Sequence, residues 1–335
     1  MSHYPYPFFQ PPAFRWHPTT TITTDAKVHE WIKAIDGEVD WTHFDVGIVG
    51  VPLSRSSISA SGASEHPNAF RRAWKYFTTY NLDEDESLTE LQVVDMGDVR
   101  QHVTDISVCH TNIRKAMVAF QDHHPQLFPL FVGGDHSITA MLVKGYKDVY
   151  PEQRIGILQF DTHFDLRDLK DDGPSNGTPI RNLIESETIK GEDVYNIGLH
   201  GFFNAYSLKE YADHHKVNYI TMRQARQKGI TKVVKEALTE LSKKVDTIYV
   251  TVDMDVLDQS VGPGAPASTP GGMATDELFQ AVYTAGRNPK VKAMDIVCLD
   301  PLKDVGEHTV KVGVHTMLSF LTGYKQRLKR GKEKR

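Results

Sequence analysis

Cysteine is nearly absent: Cys109 and Cys298 are the only two among 335 residues. Two thiols cannot staple a disulfide scaffold, so a hydrophobic core has to hold the fold and a reducing cytoplasm is the expected compartment. Long apolar runs are missing as well. Although 40% of the chain is hydrophobic, no stretch approaches the ~18 consecutive apolar residues of a membrane span. The opening MSHYPYPFFQPPAFRW holds Pro and aromatics but no basic region followed by an apolar core, so a secretory leader is not expected. Low-complexity linkers and internal repeats are also lacking. One catalytic-size domain over residues 1–335 is the expectation rather than a string of modules.

Charge is modest and uneven. The net value is −5, yet the tail 325–335 holds seven Lys/Arg against one Glu, so the rest of the chain carries −11. So short a terminal run reads as a frayed, solvated helix end in preference to a nucleic-acid or anionic-membrane contact. Nowhere else do basic and aromatic residues interleave as a nucleic-acid surface requires. The expected partner is a small molecule, with neither nucleic acid nor membrane.

What the chain does have is a regular alternation of strand and helix patterns. Residues 1–24 read as an irregular arm and 25–35 as a helix. Strands are predicted over 44–51, 91–95, 127–132, 154–160, 194–199, 217–221, 245–252 and 292–299. Helices are predicted over 67–76, 106–121, 138–150, 180–189, 230–244, 275–286 and 308–324. The acidic stretch 83–86 reads as a solvated loop. Such alternation indicates βαβ units, hence an α/β fold of three αβα layers around a mostly parallel sheet of about eight strands. Ligands in such sheets gather beyond the carboxyl ends of the strands.

Three of those strand ends are unusual. One runs into GGDHS (133–137), one into DTHFD (161–165), and one into DMDVLD (253–258). Alternation along an extended chain places Asp161, His163 and Asp165 on one side, and likewise Asp253 and Asp255. Like charges that close in a poorly solvated site repel unless a cation lies between them. An isolated DxD is more simply a pair of solvated turn aspartates, but three such motifs after buried strands favour the metal reading. Two imidazoles and four carboxylates are too many for one ion with an open position. They suit a pair of divalent ions about 3.5–4 Å apart, and the carboxylate excess leans towards Mn²⁺.

These motifs, with PGAPASTPGG (263–272) following the third, resemble the ureohydrolase family of arginases, agmatinases and their relatives over roughly residues 45–325. Within it, VPLSRSSISASGAS (51–64), GPSNGTPIR (173–181) and SVGPGAPASTPGG (260–272) are most similar to the bacterial formimidoylglutamase branch. The resemblance implies an arginase-like fold, a homo-oligomer and two Mn²⁺ ions. It implies His136, Asp161, Asp165 and Asp253 around the first ion, and Asp161, His163, Asp253 and Asp255 around the second. Asp135 and Asp258 are expected to orient ligands or hold loops, with turn capping an equal alternative for Asp258.

The implied reaction is amidine hydrolysis in histidine degradation: N-formimidoyl-L-glutamate plus water gives L-glutamate and formamide. An ion pair makes hydroxide available at neutral pH. His163 and Asp165 are the expected catalytic groups, Asp165 carrying the proton to the leaving amine. Arg55, Arg181, Asn176 and Ser57 are the candidates for holding the substrate. The alternatives are a guanidino-acid or agmatine ureohydrolase releasing urea, and a non-catalytic interaction protein on the same scaffold. Guanidine-hydrolysing relatives usually have His where this chain has Asn176, and Glu where it has Cys298. Both departures weigh against urea release, because Asn does not titrate and a neutral thiol is a poor partner for a guanidinium.

Overall fold

The computed structural model describes residues 7–17, 25–35 and 40–333. Of the expected N-terminal arm, residues 1–6 and 18–24 lie outside the described residues, as do 334–335 of the basic tail. Twelve strands follow one another in the described chain. They are β1 (Phe9–Gln10), β2 (Lys33–Ala34), β3 (Val46–Val51), β4 (Tyr80–Asn81), β5 (Glu86–Ser87) and β6 (Val93–Val99). Then come β7 (Phe128–Gly133), β8 (Ile155–Phe160), β9 (Val194–Leu199), β10 (Asn218–Thr221), β11 (Thr247–Asp253) and β12 (Val291–Val297). Ten of them build one sheet in the order β1-β6-β3-β7-β12-β11-β8-β9-β10, with β2 also on β6. Every pairing in it is parallel except that of β1 with β6.

The central strands are Val- and Ile-rich and buried along their whole length, as in β3 and β11. That is the pattern of a parallel sheet covered on both faces. Alternation then divides their side chains between two cores. Ile248, Val250, Val252, Leu158 and Phe160 meet the helices His66–Ala73, Ile230–Lys244, Thr275–Gly286 and His308–Glu333 on one face. Tyr249, Ile155, Ile157, Val49 and Val51 meet Ile106–His123, Ser137–Val149, Pro179–Glu185 and Tyr206–His214 on the other. No helix among the described residues is long and apolar enough to cross a membrane.

Topology positions the site. From β7 the chain passes over to β8, leaving a gap that β11 and β12 fill later. The loops after β7, β8 and β11 therefore converge where the direction of winding changes, the place where open α/β sheets bind ligands. β12 stands between β7 and β11, so the three motif-bearing strands are not all immediate neighbours.

Three local expectations are corrected. Part of the arm is a strand, because Phe9 and Gln10 pair with Val99 and Asp98. Only Val28–Trp31 of the expected 25–35 helix is helical, since Lys33 and Ala34 are drawn into the sheet beside β6. The acidic stretch and the basic tail are not merely solvated but meet each other. Glu86, buried on the β4–β5 hairpin, is 3.0 Å from Lys325 and 2.8 Å from Lys329. Lys325 also reaches Glu90 at 2.9 Å, and Arg327 donates to the Val291 carbonyl at 2.9 Å. The last helix runs on to Glu333 with its basic side chains docked at least as far as Lys329.

Candidate metal and substrate site

The six expected ligands converge, although not by the strand alternation predicted for them. β8 ends at Phe160, so DTHFD is a turn. In it Asp161 Oδ1 accepts from the His163 amide at 2.6 Å, and Asp165 takes a left-handed backbone, φ 57°. Such a conformation is uncommon outside glycine and tends to occur where function constrains the chain. β11 ends at Asp253, whose Oδ1 accepts from the Asp255 amide at 2.8 Å in a short 3₁₀ turn. Thr162 ties the two turns together by donating from its hydroxyl to the Asp255 carbonyl at 2.8 Å.

His136 stands just before the helix Ser137–Val149, fully buried. Its Nδ1 lies 2.7 Å from Asp165 Oδ2, 3.1 Å from Asp253 Oδ2 and 3.3 Å from Asp161 Oδ2. Its Nε2 is 2.9 Å from Thr251 Oγ1, and that hydroxyl donates its one proton to Asp295 Oδ1 at 2.6 Å. Nε2 must then be the donor of the ring, and in a neutral imidazole Nδ1 carries the lone pair. That lone pair points among three carboxylate oxygens, and no oriented hydrogen bond satisfies the buried atom. On the other side His163 Nδ1 lies 3.1 Å from Asp255 Oδ2 and 3.5 Å from Asp161 Oδ1. The two oxygens of Asp161 thus face different histidines, and Asp161 belongs to two of the three clusters of close ligand atoms among the described residues.

The electrostatics carry the same message. Burial pushes the Asp165 carboxyl up to about 7, with the Asp161 charge adding to it. Burial, Asp255 and Asp161 push Asp253 to about 7 as well. Burial opposes a charged His163, but Asp255 and Asp161 outweigh it and raise the ring to about 12. Burial likewise opposes a charged His136, and Asp165, Asp161 and Asp253 overcome it, so these carboxylates favour a positive charge at Nδ1, whether a proton or a metal ion that takes its place on the lone pair. So many buried acids around two imidazoles require compensating positive charge. An inward-facing lone pair beside oxygen donors, with the outer ring nitrogen held by an acceptor, is the donor set of a divalent-metal site. The residues fit the expected pair of ions.

The supporting groups were not foreseen. Asp295 also accepts from Thr139 at 2.7 Å and Tyr249 at 2.8 Å, and Gln159 donates to Asp161 Oδ2 at 2.7 Å. Their signal was available, because each is a polar residue inside an otherwise apolar buried strand or helix. Asp135 accepts from the amides of Ser56 and Ser137, both at 3.1 Å, and so fastens two loops. Asp258 accepts from the amides of Ser260 and Gly271 at 2.9 and 2.6 Å, which makes it a cap of the loop that follows.

Above the cluster opens a cavity of about 630 Å³ lined by His163, Asp165, Asp253, Asp255, Asn176 and Arg181, among others. Asn176 is held by its Oδ1, which accepts from the Ile58 amide at 2.8 Å. Arg181 lies over the Tyr211 ring and is paired with Asp168 at 2.8 Å and Glu185 at 2.6 Å. Ser57 lines a small recess beside the cluster instead of the main cavity. Arg55 is corrected. Its guanidinium is bound to the carbonyls of His102 and Val103 and approaches Cys109 Sγ at 3.3 Å, and it is absent from the cavity wall. Arg167 occupies that wall in its place, half-exposed and engaged by one long ion pair to Asp172 at 3.5 Å.

Comparison with known proteins agrees with this geometry. The profile of the Arginase family matches residues 44–323. A formimidoylglutamase of Halalkalibacterium halodurans is 42% identical over 291 residues, 87% of this chain and 88% of the relative. The crystal structure of the formimidoylglutamase of Bacillus subtilis superposes with a TM-score of 0.85 at 38% identity, covering 92% of this chain and 94% of the other. A Trypanosoma cruzi formiminoglutamase crystallised with Mn²⁺ shares the fold, with a TM-score of 0.81 at 22% identity over 90% of this chain and 99% of its own.

Proposed function

Because the chain belongs to the Arginase family, we propose that it hydrolyses a linear amidine, N-formimidoyl-L-glutamate, to L-glutamate and formamide. The observation that carries this reading is the buried, unsatisfied Nδ1 of His136 among three carboxylates, two of which, Asp165 and Asp253, line a cavity, in a chain 42% identical to a formimidoylglutamase. His136, Asp161, Asp165 and Asp253 would hold one Mn²⁺, and Asp161, His163, Asp253 and Asp255 the other. When bound, the ions supply Lewis acidity and a water that is nucleophilic at neutral pH.

The chain's own groups do the rest. Asp165 and His163 face the cavity beside the cluster. Asp165 takes the proton of the attacking water and returns it to the leaving amine, so that glutamate departs as a neutral amine before it equilibrates with solvent. His163 keeps the reacting end in register with the Asp161 and Asp255 carboxylates it touches. The cavity is of a size for a small ligand. Its wall carries two cations, Arg167 and Arg181, among the acids Asp168, Asp171 and Asp172, and the two arginines are the candidates for the substrate's carboxylates. Arg167 is the stronger of the two because Arg181 is already neutralised by Asp168 and Glu185.

The test is turnover of metal-stripped protein after Mn²⁺ is restored. Glutamate and formamide should appear in equal amounts from N-formimidoyl-L-glutamate, with no urea from agmatine, arginine or guanidino acids. Urea from any of these at a higher kcat/KM would overturn the assignment.

A further inference from the structure

The two peptide units that flank His163 lie beyond the end of β8, where the backbone pairing of the sheet has stopped. Their polar groups are nevertheless all paired, and by side chains. The His163 amide donates to Asp161 Oδ1 at 2.6 Å, and the His163 carbonyl accepts from Asn196 Nδ2 at 2.6 Å. The remaining pair goes to one residue. Asn204 Nδ2 donates to the Thr162 carbonyl at 2.9 Å, and Asn204 Oδ1 accepts from the Phe164 amide at 2.9 Å. A carboxamide offers a donor and an acceptor side by side, as a peptide unit does, so Asn204 stands in for a neighbouring strand. It does so from the cavity rim 201–207, which is exposed at every position but Asn204. Among the described residues, the two bonds of Asn204 are the only hydrogen bonds that tie this rim to the body beneath it.

We propose that Asn204 is a positioning residue for the second ion, the one assigned to His163 and Asp255, and holds that site without touching the ion. The inference rests on the two-ion reading proposed above. Both ligands that belong to this ion alone hang from Thr162. Its carbonyl, in the peptide unit that leads into His163, is held by Asn204, and its hydroxyl donates to the Asp255 carbonyl at 2.8 Å. The ligands that belong to the first ion alone are fastened elsewhere. His136 is held by Thr251 at 2.9 Å, and the Asp165 carbonyl accepts from the Arg181 amide at 3.2 Å. Loss of the Asn204 clamp therefore loosens the His163 side of the cluster and leaves the His136 side in place.

Mn²⁺ titrations of metal-stripped protein at neutral pH, followed by calorimetry and electron paramagnetic resonance, test this. An isolated Mn²⁺ and a close, exchange-coupled pair give different spectra, so the two ions are counted separately. Asn204→Ala should weaken the second ion by roughly 10–100-fold, the usual effect of losing an outer partner of a metal ligand, and leave the first as in wild type. Asn204→Asp separates the clamp from simple charge. It keeps the acceptor for Phe164 but sets an oxygen against the Thr162 carbonyl where the donor was, and it adds a negative charge near the cluster. Charge alone would tighten the second ion, whereas loss of the clamp weakens it. Phe202→Ala, on the same rim and fully exposed, should leave both ions unchanged. An aspartate variant that binds the second ion as tightly as wild type overturns the proposal, and it decides alone if the alanine variant does not fold. Equal weakening of both ions in the alanine variant overturns it too. A wild type that takes up only one ion is a different result, which removes the two-ion site and this proposal with it.

Discussion

Replacing Thr251 by Val should weaken metal binding without touching a ligand. The Thr251 hydroxyl accepts from His136 Nε2 at 2.9 Å and donates to Asp295 Oδ1 at 2.6 Å. Valine keeps the shape and removes both bonds. Asp295 keeps Thr139 and Tyr249 as donors to Oδ2 but loses the donor to Oδ1, and a buried N–H of His136 loses its acceptor, which costs about 1–3 kcal/mol when unpaired. The imidazole escapes that cost by moving its proton to Nδ1, where three carboxylate oxygens lie within 3.3 Å. The lone pair an ion needs is then gone. Loss of an outer hydrogen-bond partner of this kind typically lowers metal affinity 10–100-fold. Competition between the protein and a chelator for Mn²⁺ measures it, and Thr251→Ser should recover most of the loss. Valine affinity equal to that of wild type would refute the tautomer argument, and with it the reading of Nδ1 as a metal-facing lone pair.

Further outcomes follow from other contacts. Arg167→Ala should raise KM by roughly 10–150-fold, the equivalent of about 1.5–3 kcal/mol for a charged hydrogen bond, whereas Arg55→Ala should leave KM unchanged; steady-state kinetics on the two variants decides between the arginines. Arg71 is buried with Asp95 at 2.7 Å and Asp98 at 2.8 Å. Arg71→Met, which strands two buried carboxylates, should cost about 3–5 kcal/mol in urea unfolding. Burial pushes the His66 ring down to about 4, against the bond of its Nδ1 to the Gly133 carbonyl at 2.7 Å. The unfolded chain takes up that proton near pH 6.5 and the folded one resists it, so stability is complete above about 6.5 and falls as pH drops towards 4. The loss is about 3 kcal/mol. His66→Leu should flatten that part of the acid limb in denaturant titrations at a series of pH values.

The sequence showed which residue types meet, and less of how they meet. The helices Ile230–Lys244 and Thr275–Gly286 and the strand Val194–Leu199 were read to the residue, because their apolar periods end at Gly, Pro or charge. Asp161, His163 and Asp165 were brought together as expected, but by a turn with Asp165 left-handed and not by strand alternation. A local rule gave the right company for a wrong reason, since the strand ends at Phe160, as read, and alternation does not carry over into the turn that follows. The arginines mark a deeper limit. Arg55 and Arg167 both sit in polar loops, and what separates them is that the carbonyls of His102 and Val103, some fifty residues away, capture one guanidinium. The tail was misread for the same reason, because Glu86 and Lys329 are 243 residues apart along the chain. The place of β12 between β7 and β11 follows from the order of crossovers, which hydrophobic periodicity does not encode.

Diffraction at a wavelength sensitive to manganese, on crystals loaded with Mn²⁺, tests the binuclear site most directly. Two anomalous peaks should appear about 3.5–4 Å apart, one against His136 and the other against His163, with Asp161 reaching both. A single peak, or density away from Asp161, would contradict the account.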